Sequence, residues 1–169
     1  FHLNIGQPDV DSPVNPRDTL SEWTENYLPY GKSEGEESMQ QAFIEYYRNW
    51  NVHLETDDIL VTTGASEALL LSLFATMDQD DELIVQEPFY ANYNGISQMA
   101  GVHIRSIYTP FDQGFPVPSM KDFESVVTPR SRALLLCNPN NPTGKVYSRE
   151  MLVQLAELVL KHDLYLIVD

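Results

Sequence analysis

From Asp58 to the last residue, the sequence switches repeatedly between two periods, and this switching limits the folds open to it. Five short apolar runs, "DILVTT" (58–63), "ELIVQ" (82–86), "VHIRSIY" (102–108), "RALLLC" (132–137) and "LYLIVD" (164–169), read as strands. Helical spacing fills the intervals. Leu70, Leu73, Phe74 and Met77 share one face, and "YANYNGISQMA" (90–100) follows. "SMKDFESVV" (119–127) opens with Ser119 and Asp122 at capping-box spacing. "SREMLVQLAELVLKH" (148–162) opens with Ser148 as a cap and places Leu152, Leu155, Ala156 and Val159 on its buried face. Strands joined through helices pair in parallel, and a parallel sheet needs cover on both faces. The expected fold is therefore α/β, a largely parallel doubly wound sheet of five strands with helices on both faces. In such sheets ligands bind beyond the carboxyl ends of the strands.

The first thirty residues are different. Pro8, Pro13, Pro16 and Pro29 with interspersed Asp and Asn predict irregular chain, broken by a short helix around Leu20–Tyr27. Residues 1–30 thus read as an irregular segment, and 31–169 as the sheet domain. From Glu36 the helical period begins: Met39, Phe43, Tyr46, Tyr47 and Trp50 recur behind an acidic first turn.

Charge and composition remove several classes of function. The net charge of −15 over 169 residues disfavours nucleic acid and anionic membrane as partners, since both need a basic face. It leaves phosphate-bearing ligands open, because backbone N–H groups bind phosphate whatever the net charge. The one cysteine, Cys137, follows "ALLL" and reads as a core residue; with no intrachain disulfide available, a cytoplasmic setting is expected. The longest apolar stretch, "ALLLSLFATM", is too short to span a bilayer. The sequence opens "FHLNIG" without an initiator Met and stops on a strand, so a piece of a longer protein is expected.

Four strand ends carry candidate chemistry. After "ILV" comes Thr62-Thr63-Gly64-Ala65-Ser66-Glu67, leading into a helix. Small residues and unpaired helix-start N–H groups make an anion site, with a plain turn capped by Ser66 as the equal alternative. After "ELIVQ" come Phe89 and Tyr90, able either to stack on a planar ring or simply to plug the core. After "RALLLC" comes "NPNNPTG" (138–144), whose two Asn-Pro steps and Gly144 make a rigid turn that can offer an amide to a ligand oxygen. Asp169 ends the final run, as a ligand-facing acid or an ordinary loop acid.

In order and spacing, "NIGQPD", "YGKSEGEE", "TTGASEAL", "EPFY", "NPNNPTG" and "LIVD" resemble the pyridoxal-phosphate-dependent aminotransferases of fold type I, the class I/II family. The resemblance implies pyridoxal 5′-phosphate as cofactor, a partial large domain of that fold, and exchange of an amino group between an amino acid of aspartate or aromatic type and a 2-oxo acid. It implies that Asp169 faces the pyridine nitrogen, Asn141 bonds the phenolic oxygen and the substrate, and Tyr90 stacks on the ring. Gly64, Ala65 and Ser66 would hold the phosphate. Tyr30 would reach the phosphate of the other subunit of a homodimer, and Gly6 would line the substrate carboxylate. The family's Schiff-base lysine lies beyond Asp169; Lys32, Lys121, Lys145 and Lys161 do not match it, so this stretch alone is expected to be inactive. Three other readings compete: a β-eliminating lyase of the same fold, an aminotransferase-like effector domain of a transcriptional regulator, and a nucleotide-binding Rossmann module. The last lacks a Gly-rich fingerprint. No metal site is expected.

Overall fold

A computed structural model describes residues 6, 8–11, 16–24 and 26–169. Its centre is a four-stranded, wholly parallel sheet in the order β2-β1-β3-β4: β1 Glu82–Glu87, β2 His103–Tyr108, β3 Ser131–Leu136 and β4 Tyr165–Val168. Helices α1 (Pro16–Ser21), α2 (Glu37–Arg48) and α3 (Ala65–Thr76) precede the sheet, while α4 (Asn92–Ala100), α5 (Met120–Val126) and α6 (Arg149–Lys161) connect its strands.

Strand alternation divides the core in two. Leu83, Val85, Ala133 and Leu135 point to one face, where Leu69 and Leu73 of α3 and Tyr93 and Ile96 of α4 cover them. Ile84, Ile107, Leu134 and Leu136 point to the other, under Phe123 of α5 and Leu155 and Leu158 of α6. Successive side chains of a strand take opposite faces, so runs such as "ALLL" must be apolar throughout to serve both layers. The caps at the connections fit their residues: Ser119 and Asp122 form a reciprocal capping box on α5, and the Ser148 hydroxyl accepts the Met151 N–H on α6.

The chain steps from β1 outward to β2, returns past β1 to β3, and continues to β4 on the far side. The direction of winding therefore reverses between β1 and β3. At such a switch point the connections leave in opposite directions and open a crevice at the carboxyl ends of the strands. This places the segments after Glu87 and Leu136 on either side of one gap.

The structure corrects several expectations. "DILVTT" is not a strand: a single 3-10 turn covers Thr56–Asp58, and the Val61 N–H donates to Glu34 O (2.9 Å) instead of joining the sheet. Gly35, at φ +100°, allows that approach; a Cβ there would collide with the Val61 side chain. The first helix is Pro16–Ser21, N-terminal to the expected Leu20–Tyr27. In α2 the helical period is right, but Met39, Phe43, Tyr46 and Tyr47 are exposed, as is Trp50 in the turn after it, and Gln40 and Ile44 are the buried pair. Gln40 is buried because its amide donates to Thr56 O and Ile59 O, tying α2 to the turn below it. On α3 Phe74 is exposed, and on α6 Leu158 is buried where Ala156 is exposed. β4 is an outer strand of the described sheet, with Tyr165, Leu166 and Val168 exposed. It pairs only with β3 among the described residues.

Candidate active site

A cavity of about 710 Å³ occupies the switch-point crevice. That volume lies within the range of cofactor and small-ligand pockets. Its walls come from four chain segments: Thr63–Glu67 at the start of α3, Tyr90 and Tyr93 after β1, Cys137, Asn138, Pro139 and Asn141 after β3, and Asp169 after β4. Of the residues expected at the site, Gly64, Ala65, Ser66, Tyr90, Asn141 and Asp169 are thus brought together. Tyr30 and Gly6 are exposed and stand outside the lining. Of "NIGQPD", Asn4, Ile5 and Gln7 lie outside the described residues.

The start of α3 is open to an anion. Gly64 is the N-cap, and no side-chain hydrogen bond caps it, so the alternative of a turn capped by Ser66 does not hold. A Cβ added at Gly64 would meet nothing within 4 Å, so space as well as unpaired donors is available there. Helix-start N–H groups with the dipole behind them attract phosphate and carboxylate.

The turn after β3 separates two neighbouring asparagines. Asn140 is buried; its amide donates to Pro88 O (3.2 Å) and Thr143 Oγ1 (2.8 Å), bracing the turn against the segment after β1. Its N–H donates to Lys145 O, and Gly144, at φ +67°, donates back to Asn140 O (2.7 Å). Asn138 accepts the Tyr147 N–H through Oδ1 (3.1 Å). With its neighbours committed to the scaffold, Asn141 lines the cavity. The peptide bonds before Pro88, Pro139 and Pro142 are all cis.

Asp169 continues the sheet ladder beyond β4. Its N–H donates to Leu136 O (2.9 Å), and its carbonyl accepts the Asn138 N–H (3.2 Å). Its side chain is exposed on the cavity wall rather than buried, and its Oδ2 accepts the Tyr93 hydroxyl. Tyr93 is 2% exposed; its ring stacks on Phe89 at 6.0 Å and meets Tyr90 edge-on at 5.7 Å. Burial first, then the Asp169 and Cys137 contacts, push the Tyr93 phenol far above its usual range. It therefore remains a proton donor to Asp169. Tyr90 is the outer member of this aromatic group, and its hydroxyl accepts from Asn92 Nδ2 (2.8 Å).

Sequence reasoning missed Tyr93 and misread Cys137. Tyr93 lies three residues after Tyr90, one helical turn away, and that spacing is the signal that pairs them. Cys137 is half-buried in the cavity wall, where its thiol donates to Pro139 O and accepts the Asn141 N–H, each at 3.4 Å. It leaves the core because β3 ends at Leu136, one residue earlier. No group of three or more His, Cys, Asp or Glu side chains among the described residues could hold a metal ion. No helix among them is long and apolar enough to cross a membrane.

Known proteins are similar to this chain in sequence and fold. The chain is 32% identical over 99% of its length to the aspartate/prephenate aminotransferase of Thermus thermophilus, covering 44% of that protein. It is 34% identical over 99% of its length to an alanine aminotransferase of Mycobacterium tuberculosis, covering 40% of it. A mutant of the Thermus thermophilus aspartate aminotransferase superposes on 98% of the chain with a TM-score of 0.85 at 32% identity, again with 44% of that structure covered. The chain thus spans less than half the length of these relatives. The profile of the family "Aminotransferase class I and II" matches residues 1–169, and the chain belongs to that family.

Proposed function

We propose that the cavity at the switch point binds pyridoxal 5′-phosphate and that the protein is an aminotransferase acting on amino acids and 2-oxo acids. The observation that carries this reading is the convergence of a tethered carboxylate (Asp169), an amide (Asn141), an aromatic face (Tyr90) and an uncapped helix start (Gly64–Ser66) on one cavity. That donor set fits the cofactor: an acid for a pyridine nitrogen, a donor for a phenolic oxygen, a stacking ring and an anion cradle. Its membership of the family supports the same assignment. Residues 31–169 then form part of the cofactor-binding large domain, with 1–30 lining the site.

When bound, the cofactor supplies an electron sink for a carbanion at the substrate α-carbon. The residues of this chain prepare that chemistry. The Asp169 carboxylate favours a proton on the ring nitrogen, and the Tyr93 hydroxyl fixes the carboxylate's direction. Asn141 donates from a turn that Asn140 holds rigid. The Tyr90 ring covers one face of the site and keeps water from it. The N–H groups of Gly64, Ala65 and Ser66, with the Ser66 hydroxyl, hold the phosphate. The full exposure of Tyr30 suits a side chain that reaches the site of a second subunit in a homodimer, and Gly6 suits contact with the substrate carboxylate. The amino donor is of aspartate or aromatic type. The test is Asp169→Ala in the full-length protein: turnover collapses while the melting temperature holds. Unchanged turnover removes Asp169 from the mechanism.

A further inference from the structure

Glu67 lines the same cavity beside the residues assigned to ring and phosphate. It is the third residue of α3, and its Oε2 accepts the Thr63 N–H at 2.6 Å. The Thr62 hydroxyl closes the same turn from the other side, donating to Gly64 O at 3.0 Å. The Glu67 and Ala68 N–H groups return to Gly64 O at 3.1 and 3.2 Å. The turn therefore holds an anion of its own, bound one residue ahead of the N–H groups of Gly64, Ala65 and Ser66.

Two consequences oppose each other. The bond to Thr63 fixes the peptide that leads into Gly64, whose backbone has no Cβ to restrict it, and so fixes where the following N–H groups point. The negative charge of Glu67 repels a phosphate placed on those groups. The Thr63 bonds hold the Glu67 carboxyl below the usual carboxylate range, so the charge is present wherever a phosphate ester is dianionic.

We propose that Glu67 is a positioning residue of the phosphate cradle: tied to the Thr63 N–H, it holds the Thr62–Ser66 turn in its receiving shape, while its charge restrains the cradle's affinity. The inference rests on the pyridoxal-phosphate reading and separates two properties that substitution can dissociate. Gln at position 67 keeps a carbonyl oxygen for the Thr63 N–H and removes the charge. Ala removes both.

The experiment titrates the full-length apoprotein with pyridoxal 5′-phosphate and, separately, with pyridoxal, which has the ring and no phosphate. Glu67→Ala weakens the phosphate ester about tenfold, the size expected for loss of one charge-assisted hydrogen bond, and leaves pyridoxal binding unchanged. Glu67→Gln binds the phosphate ester as tightly as the wild type or a few-fold tighter. A residue serving only general stability would move both ligands together. The proposal is overturned if Glu67→Ala keeps the wild-type ratio of the two affinities, or if Glu67→Gln is as weak as Glu67→Ala. Should Glu67→Ala fail to fold, Glu67→Gln decides alone: equal or tighter binding supports the proposal and weaker binding overturns it. A wild-type protein that binds pyridoxal as tightly as its phosphate overturns the phosphate assignment, and this proposal with it. A wild type that prefers the phosphate while the variants behave alike overturns Glu67 only.

Discussion

Tyr93→Phe isolates one hydrogen bond from everything around it. The substitution removes the hydroxyl that donates to Asp169 and keeps the ring, so the stacking on Phe89 at 6.0 Å and the edge contact with Tyr90 at 5.7 Å persist. A hydrogen bond to a charged group contributes about 1.5–3 kcal/mol, and the exposure of Asp169 to solvent puts this one at the lower end. About 1.5 kcal/mol corresponds to roughly tenfold in rate. We expect kcat/KM for transamination by the full-length protein to fall about tenfold. The melting temperature should move by no more than about 4 °C, because no buried donor is left without a partner and the packing is retained. In an Asp169→Ala background the same substitution should have almost no further effect, since groups acting as a unit are not additive. Wild-type kcat/KM in Tyr93→Phe, or the full tenfold loss persisting without Asp169, would refute the reasoning.

Two further predictions concern the scaffold. Leu73 is fully buried between α3 and the sheet, so Leu73→Ala should destabilise by about 3–5 kcal/mol, read from the urea midpoint at unchanged m-value; a loss below about 1 kcal/mol would contradict the packing described. Glu82 is buried at the start of β1, where the Thr128 hydroxyl (2.6 Å) and Arg130 (2.9 Å) hold its carboxyl below its ordinary value of 4.5. Its folded pKa is depressed, so its stabilisation is complete above that ordinary value and is lost as pH falls through the lower folded one. Melting temperature followed from neutral to acidic pH should therefore drop less steeply at its acid end in Glu82→Gln than in the wild type; parallel curves would contradict this.

The parallel sheet and its covering helices were legible chiefly through β1 and β3, which are buried on both faces: a strand so buried is apolar nearly throughout, and its connecting helix must be apolar on one side. Where pairing depends on a distant partner, the pattern misled. "DILVTT" has a strand's composition, but Val61 bonds the Glu34 carbonyl across a gap that only Gly35 permits. The aromatic face of α2 shows the same limit, because periodicity identifies a face without showing what covers it. At the site, the motif positions were legible and the division of labour was not. Asn140 and Asn141 are neighbours of identical chemistry, and only their bonding shows that one braces the turn while the other lines the cavity. Tyr93 was hidden because its ring belongs to the core and only its hydroxyl reaches Asp169.

The most direct test of the central claim is a crystal structure of the full-length protein soaked with pyridoxal 5′-phosphate. The account predicts the phosphate on the N–H groups of Gly64, Ala65 and Ser66, the ring against Tyr90, and the ring nitrogen on the Asp169 carboxylate that Tyr93 holds. A cofactor bound elsewhere, or one in this cavity with its ring nitrogen turned away from Asp169, would contradict it.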